Sequence, residues 1–388
     1  MGLSGATILQ VIPELSAGGA ERTAIEVAAA LNQAGACALV ASEGARLEGQ
    51  LADAGGELVR IAKLGSKNPL DLRANARTLA AIIQDRRVNL VHARSRAPAW
   101  SAMWAARQEG VPFVTTYHGI YSGGGRLKTA YNSIMARGDV VIANSDFTAD
   151  HVRKLHPGKA RKIITIPRGV DISAFAADAV SRERIDRVRL NWGRDPASAD
   201  KLIVLPARLT SWKGHREAVE AAARLGKREL PAWRMVFVGD AQGRERYQSE
   251  LQELIRTNGL SDRISIVGHC DDMPAALMLA DIVIAPSNRA EAFGRVAAEA
   301  GAMGRVVVGS DLGGQREVIR HGETGILIEP GNVEELADAI ADLLTQPADA
   351  IAGMGEAAKA RIRQSYTTEA LQRATLAAYE ELLEPVNA

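Results

Sequence analysis

Strands and helices alternate along the whole chain, twice over, which predicts an α/β protein of two Rossmann-like domains facing across a deep cleft. Length points the same way, because 388 residues exceed what one core normally serves. Apolar residues make up 47% of the chain, enough material for two cores. The apolar runs are short and continuous, as in Ile203-Val-Leu-Pro-Ala207 and Asp281-Ile-Val-Ile-Ala-Pro286. That is the pattern of parallel strands buried on both faces. Phe175 to Ala199, rich in Arg, Asp and Ser and weakly periodic, reads as a connection. The expected domains are 1–175 and 200–367, with a linker over 176–199 and a final helix from Thr368 to about Leu383.

The first half opens with a buried strand at Thr7–Ile12, a turn containing Gly18-Gly19, and a helix to about Ala34. Paired glycines there permit positive φ and a close approach of backbone to a ligand. The strand Ala38–Ala41 is followed by Glu43, placed where a ribose-binding acid would sit, which keeps a dehydrogenase open as an alternative. The G-x-G-x-x-G fingerprint and the Walker A loop are both absent. Glu57–Ile61 is a strand, Leu70–Arg86 an amphipathic helix, and Leu90–Ala93 a strand ending in Arg94-Ser-Arg96. After a helix over Pro98–Gln108, the strand Pro112–Tyr117 ends in His118-Gly119, where an imidazole can reach a ligand. Tyr121 to Tyr131, with three consecutive glycines and then Arg126 and Lys128, reads as a mobile loop running into a basic helix. Val140–Asn144 repeats the strand pattern, with Ser145 as a helix cap. Ile163–Ile166 closes the series.

In the second half, Ile203–Ala207 leads into Arg208-Leu-Thr-Ser-Trp-Lys-Gly214, so Arg208 and Lys213 stand on a strand-end loop. A guanidinium fork beside a flexible ammonium suits a diphosphate. Strands follow at Arg234–Val238, Ile264–Val267, Asp281–Pro286, Arg305–Gly309 and Gly325–Ile328, with a helix from Val333. The stretch Ser287–Glu299 is the most informative. Phe293-Gly294 opens an Ala-rich helix to about Gly304, whose free N–H groups and dipole make an anion site. Glu291 and Glu299 bracket that turn and would be repelled by a diphosphate, so they are expected to face sugar hydroxyls instead.

A strand followed by Arg208-x4-Lys213-Gly214, and later Glu291-x-Phe293-Gly294-x4-Glu299, resembles the retaining glycosyltransferases of the GT-B fold, the large family 4 group. The resemblance covers nearly the whole chain, and Pro167-Arg-Gly-Val-Asp171 resembles the family's interdomain Pro-x-Gly-Val-Asp, with Arg168 where Asn is commoner. It implies that the final helix, within 368–388, returns to the first domain. It implies a nucleoside-diphosphate sugar held by the second domain and an acceptor held by the first, and the basic first half makes a glycan or lipid-linked acceptor, in cell-envelope polysaccharide or lipopolysaccharide synthesis, the expected one. Residue by residue, His118 contacts the donor sugar, supporting it or the developing positive charge through its carbonyl. Glu291 orients donor hydroxyls and Glu299 binds the ribose. Arg208, Lys213 and the helix start at Phe293-Gly294 neutralise the diphosphate, with Gly18 and Gly19 facing it. Backbone at Val267 and His269 reads the base. Arg94, Arg96, Tyr121 and Arg126 are the expected acceptor contacts.

Asp271-Asp272 is adjacent rather than D-x-D, and His269-Cys270 lacks partner ligands at suitable spacing, so no metal and no cofactor are expected. Two cysteines, Cys37 and Cys270, fit a reducing compartment. The N-terminal stretch lacks the basic region of a signal peptide, and no run approaches the roughly 18 apolar residues of a span. Residues 1–175 hold 21 Lys/Arg against 14 Asp/Glu, and the remainder 26 against 32. That asymmetry points the basic half at something anionic, an acceptor or the inner face of a membrane, in a cytoplasmic protein that binds no nucleic acid. A nucleotide-sugar epimerase, with Glu14 and Glu21 as its acid/base pair, and a non-catalytic carbohydrate-binding module are the competing readings.

Overall fold

The computed structural model describes residues 2–16, 18–121 and 125–384. The chain forms two compact units, Met1–Arg168 with Thr368–Ala388, and Gly169–Thr367. In unit 1 the order is β1 (Thr7–Val11), α1 (Gly19–Gln33), β2 (Cys37–Ser42), α2 (Glu48–Asp53), β3 (Glu57–Arg60), α3 (Pro69–Asp85) and β4 (Leu90–Ala93). It continues with α4 (Arg96–Glu109), β5 (Phe113–Tyr117), α5 (Arg126–Asn132), β6 (Val140–Ala143), α6 (Asp146–Leu155) and β7 (Lys162–Thr165). All seven strands pair in parallel in the order β3-β2-β1-β4-β5-β6-β7. Alternate residues of each strand feed opposite faces: Leu9 and Val11 pack under α3 and α4, while Ile8 packs under α1. Helices on both faces are what near-continuous apolar strands require.

Unit 2 contains α7 (Arg182–Asn191), β8 (Lys201–Pro206), α8 (His215–Leu225), β9 (Trp233–Val238), α9 (Glu245–Thr257), β10 (Ile264–Ile266) and α10 (Met273–Leu279). There follow β11 (Ile282–Ala285), α11 (Arg295–Ala302), β12 (Val306–Ser310), α12 (Gln315–Val318), β13 (Ile326–Ile328), α13 (Val333–Thr345) and α14 (Ala348–Ser365). Its six parallel strands run β10-β9-β8-β11-β12-β13. The last helix, α15 (Thr368–Leu383), packs on α1 in unit 1, where Tyr379 is fully buried and Gln372 Nε2 donates to the Glu26 carbonyl at 2.7 Å.

The expected linker over 176–199 is a correction. It holds α7, which packs on α10 and belongs to unit 2. Its composition concealed it because only Val188 of the helix is buried. Ser181 caps the helix, and Arg184 grips Asp272 with two hydrogen bonds of 2.8 and 2.7 Å. The unit boundary falls earlier, at Gly169, because Val170 donates its N–H to Tyr366 and its side chain joins the core of unit 2.

Both sheets reverse strand order once, between β1 and β4 in unit 1 and between β8 and β11 in unit 2. The loops leaving the carboxyl ends of these strands part at such a reversal and leave a crevice for ligands. This locates one candidate ligand crevice in each unit from topology alone.

Candidate active site

In unit 2 the reversal lies between the loops that follow β8 and β11. A short 3-10 turn at Ser211–Lys213 carries Lys213, whose ammonium lies over the Trp212 ring, 4.5 Å from its centroid. Asn288 ties the two loops together: its N–H donates to Trp212 O at 2.9 Å, and its amide donates to Ser211 O at 3.2 Å and Glu217 Oε1 at 2.8 Å. Lys213 Nζ meets Glu291 Oε2 at 2.7 Å, with both side chains 14% exposed. The loop after β12 supplies the third wall. Gly313-Gly314 lies so close that a Cβ on Gly314 would come within 2.5 Å of Phe293 Cα, and one on Gly313 within 2.5 Å of the Glu291 carbonyl. Only glycine allows this packing, which is sealed by Gly314 N–H donating to Glu291 O at 2.8 Å. Gln315 then reaches Glu291.

Gly294 stands at the start of α11 with φ 99°, so the chain turns sharply into the helix and leaves its first N–H groups outward. Glu299 lies within α11, about a turn and a half in. Phe293 is 5% exposed and its ring packs on Tyr366, 5.7 Å between centroids, so its side chain anchors the turn that opens α11. Arg208 is not part of the Lys213–Glu291 pair; its guanidinium donates to Gln242 Oε1 at 3.3 Å. Val267 and His269 line a separate pocket of 330 Å³ with α7, and His269 pairs with Asp271 at 3.0 Å. Among the described residues no group of three metal-ligating side chains occurs. Asp272 instead pairs with Arg184 and caps α10, and the guanidinium holds its carboxyl below the usual range.

In unit 1 the reversal opens a 340 Å³ pocket lined by Pro13, Glu14 and Glu21 near α1, Arg94 and Ser95 after β4, and His118 and Tyr121 after β5. A larger cavity of 530 Å³ lies at the amino ends of β8, β9 and β10, away from the strand-end loops, so volume does not locate the site. His118 sits directly beyond β5, and Arg168 donates to its Nδ1 at 3.2 Å. A guanidinium has no acceptor, so Nδ1 must accept and a neutral ring carries its proton on Nε2. This contact gives Arg168 a role that its unusual residue type left open.

The basic acceptor candidates divide. Arg94 is 2% exposed, with Nε donating to Gln10 Oε1 at 2.7 Å, and burial pushes its guanidinium down. It is a framework residue beside Tyr379 that also lines the unit 1 pocket. Arg96 lies over the Tyr121 ring at 4.3 Å and donates to Asn132 at 2.9 Å. Tyr121 in turn stacks on Tyr117, 4.5 Å between centroids. Arg126 is exposed at the start of α5, and Ser122, Gly123 and Gly124 of the loop before it lie outside the described residues. Gly18 caps α1 with φ −80° and Gly19 is the first residue of the helix, so Gly18 does not take the positive φ that glycine permits. Glu43, the ribose acid of the dehydrogenase alternative, accepts the Gly65 N–H at 2.8 Å and is committed to a loop. Gln315 and Ser287 carry no role in the sequence pattern, because neither stands in the Glu-x-Phe-Gly motif. The Gly-Gly pair before Gln315 was the available signal.

Two parallel-sheet Rossmann-like units are the architecture of the GT-B class of transferase fold. Residues 190–361 match the family model for glycosyl transferases group 1, and residues 17–174 that for glycosyltransferase family 4. The crystal structure of a glycosyltransferase from Rickettsia africae ESF-5 is 34% identical, with TM-score 0.88 over 99% of this chain and 100% of that one. The chain belongs to the group 1 glycosyltransferases. Anabaena HepE, solved in complex with UDP-glucose, is 25% identical with TM-score 0.80 over 97% of this chain and 99% of that one. A GDP-mannose-dependent alpha-(1-6)-phosphatidylinositol monomannoside mannosyltransferase from Mycobacterium tuberculosis is 30% identical over 57% of this chain and 56% of its own length. Among the described residues no helix is long and apolar enough to cross a membrane.

Proposed function

We propose that this glycosyltransferase moves a hexose from a nucleoside diphosphate to a glycan or lipid-linked acceptor, with retention at the anomeric carbon and without a metal. The observation that carries this is the Lys213–Glu291 pair at the strand-order reversal of unit 2, a cation for the diphosphate beside a carboxylate for sugar hydroxyls. HepE binds UDP-glucose and the mannosyltransferase uses GDP-mannose, so hexose nucleotides are the donor class that the relatives favour. Arg208, Lys213 and the start of α11 supply the positive charge for the leaving diphosphate that a metal provides elsewhere. In the reaction the anomeric C–O bond to phosphate loosens towards an oxocarbenium ion. The acceptor hydroxyl forms the new C–O bond from the same face, and its proton passes to the departing phosphate oxygen. Glu291 orients donor hydroxyls, Glu299 holds the ribose, and His118 supports the sugar.

The basic half and the lipid acceptor of the mannosyltransferase relative favour an anionic, lipid-linked acceptor of the cell envelope, reached from the cytoplasmic side. Thermal unfolding with UDP, GDP, ADP, their common hexose conjugates and NAD(P), with and without EDTA, tests the donor reading. Stabilisation by one nucleoside diphosphate that survives EDTA is the expected result. Stabilisation by NAD(P) alone sinks the proposal.

A further inference from the structure

The two oxygens of Glu291 are held in different ways. Oε1 accepts from Ser287 Oγ at 2.6 Å and from Gln315 Nε2 at 3.0 Å, while Oε2 faces Lys213 Nζ at 2.7 Å. Ser287 and Gln315 are each 1% exposed, so the bonds to Oε1 are sheltered from water. The Gln315 amide is fixed in orientation. Its Oε1 accepts the Ser310 N–H at 3.0 Å, which turns Nε2 towards Glu291. Room for that amide depends on Gly309, where a Cβ would come within 2.5 Å of Gln315 Oε1. Lys213, by contrast, is a point charge on a flexible stem.

Resting on the donor reading above, we propose that Ser287 and Gln315 are positioning residues for Glu291, and that Lys213 exchanges Glu291 for the diphosphate of the donor. A diphosphate carries more charge than one carboxylate and draws the ammonium to itself. Glu291, left beside that anion, would swing away if Lys213 were its sole anchor. Its grip through Oε1 holds it in place, and Oε2 opens to accept a sugar hydroxyl. Diphosphate and sugar recognition are thereby coupled, because the hydroxyl acceptor becomes available only once a diphosphate has taken the lysine.

The test is calorimetric titration of wild type, Ser287→Ala and Gln315→Leu with UDP, GDP and ADP and with their glucose and mannose conjugates. In wild type one conjugate binds more tightly than its parent diphosphate. Both variants are expected to keep the diphosphate affinity within about twofold and to lose most of the gain from the sugar, roughly tenfold. An undiminished gain overturns the proposal, and so does an equal loss of diphosphate affinity, which a purely structural role would produce. If Gln315→Leu does not fold, Ser287→Ala, which removes one hydroxyl from the same oxygen, decides alone. Wild-type binding of a diphosphate with no gain from any conjugate overturns the coupling and leaves the donor class standing. No nucleotide binding at all fails the donor reading itself.

Discussion

At the carboxyl edge of unit 2, Lys213, Glu291 and Gln315 arrive from three different strand-end loops and meet in one hydrogen-bonded group, with Ser287 beside them. At the same edge of unit 1 the cationic candidates go separate ways: Arg94 to Gln10, Arg96 to Asn132 and Tyr121, and Arg168 to His118. On the proposed function, the difference follows from what each edge would bind. Diphosphate chemistry asks for the same few groups whatever the sugar, so they condense into a compact, repeatable arrangement. Acceptor recognition depends on one molecule's outline, and its residues are spread over loops with no fixed spacing.

The sharpest way to break this comparison is Lys213→Ala. On the proposed mechanism, loss of the ammonium removes the main preorganised cation for the leaving group, and turnover is expected to fall by about 10²–10³-fold in initial-rate assays with the donor identified by thermal shift. Comparable activity in Lys213→Ala, alongside a collapse in Arg96→Ala, would place the chemistry on the other edge.

Arg94 and Arg96 sharpen the contrast within unit 1. Arg94→Ala strips a buried partner from Gln10 and leaves a cavity, a loss of about 2–4 kcal/mol by urea unfolding, with nucleoside-diphosphate affinity unchanged. Arg96→Ala, on a less enclosed site, is expected to cost about 1 kcal/mol. Equal stability losses would remove the distinction between framework and surface arginines.

These two arginines also show where the sequence was legible. Strand positions were clear because runs such as Val140–Ala143 and Ile282–Ala285 are buried on both faces and carry their own signal. The Arg208/Lys213 loop and the Glu291 stretch were readable because their spacing is local. Arg94 and Arg96 are separated only by Ser95, and nothing local tells that Gln10, 84 residues away, waits for one of them. The same limit hid α7, whose charged face disguised a helix anchored by a distant Asp272, and Gln315, whose partner lies 24 residues back.

Each unit also buries a histidine, which offers a graded test. His215, fully buried in the first turn of α8 immediately after the Lys213 loop, is pushed down to about 4 by burial, partly countered by the backbone of Thr210 and Ala207. Between that value and the ordinary 6.5 the unfolded chain binds more protons than the folded one. Stability is therefore full above about pH 6.5 and falls as pH drops towards 4, by up to about 1.4 kcal/mol per unit. His92 in unit 1, enclosed by Tyr379 and Thr116 and shifted down by burial, adds a loss of the same sign. Urea unfolding at pH 7 and pH 5 should show the fall, and His215→Phe should remove part of it. An unchanged slope in His215→Phe would assign the acid sensitivity to unit 1.

The smallest expected effect concerns Arg168, a cation of unit 1 that touches a proposed reaction residue. Its bond to Nδ1 of His118 holds the ring in one tautomer and steadies the turn that carries the His118 carbonyl, which also accepts from Asn144 Nδ2 at 3.4 Å. Asn is too short to reach across as the guanidinium does, yet it leaves the backbone of Pro167–Asp171 unaltered in type. Arg168→Asn is expected to lower kcat about tenfold while nucleoside-diphosphate affinity stays within twofold. Arg168→Lys, which keeps the charge without the planar fork, should recover only part of the loss. Full activity in Arg168→Asn would mean that His118 is set by β5 alone, and unit 1 would then have no counterpart to the clamp on Glu291. A loss as deep as that of Lys213→Ala would instead make the two edges equal partners in the chemistry.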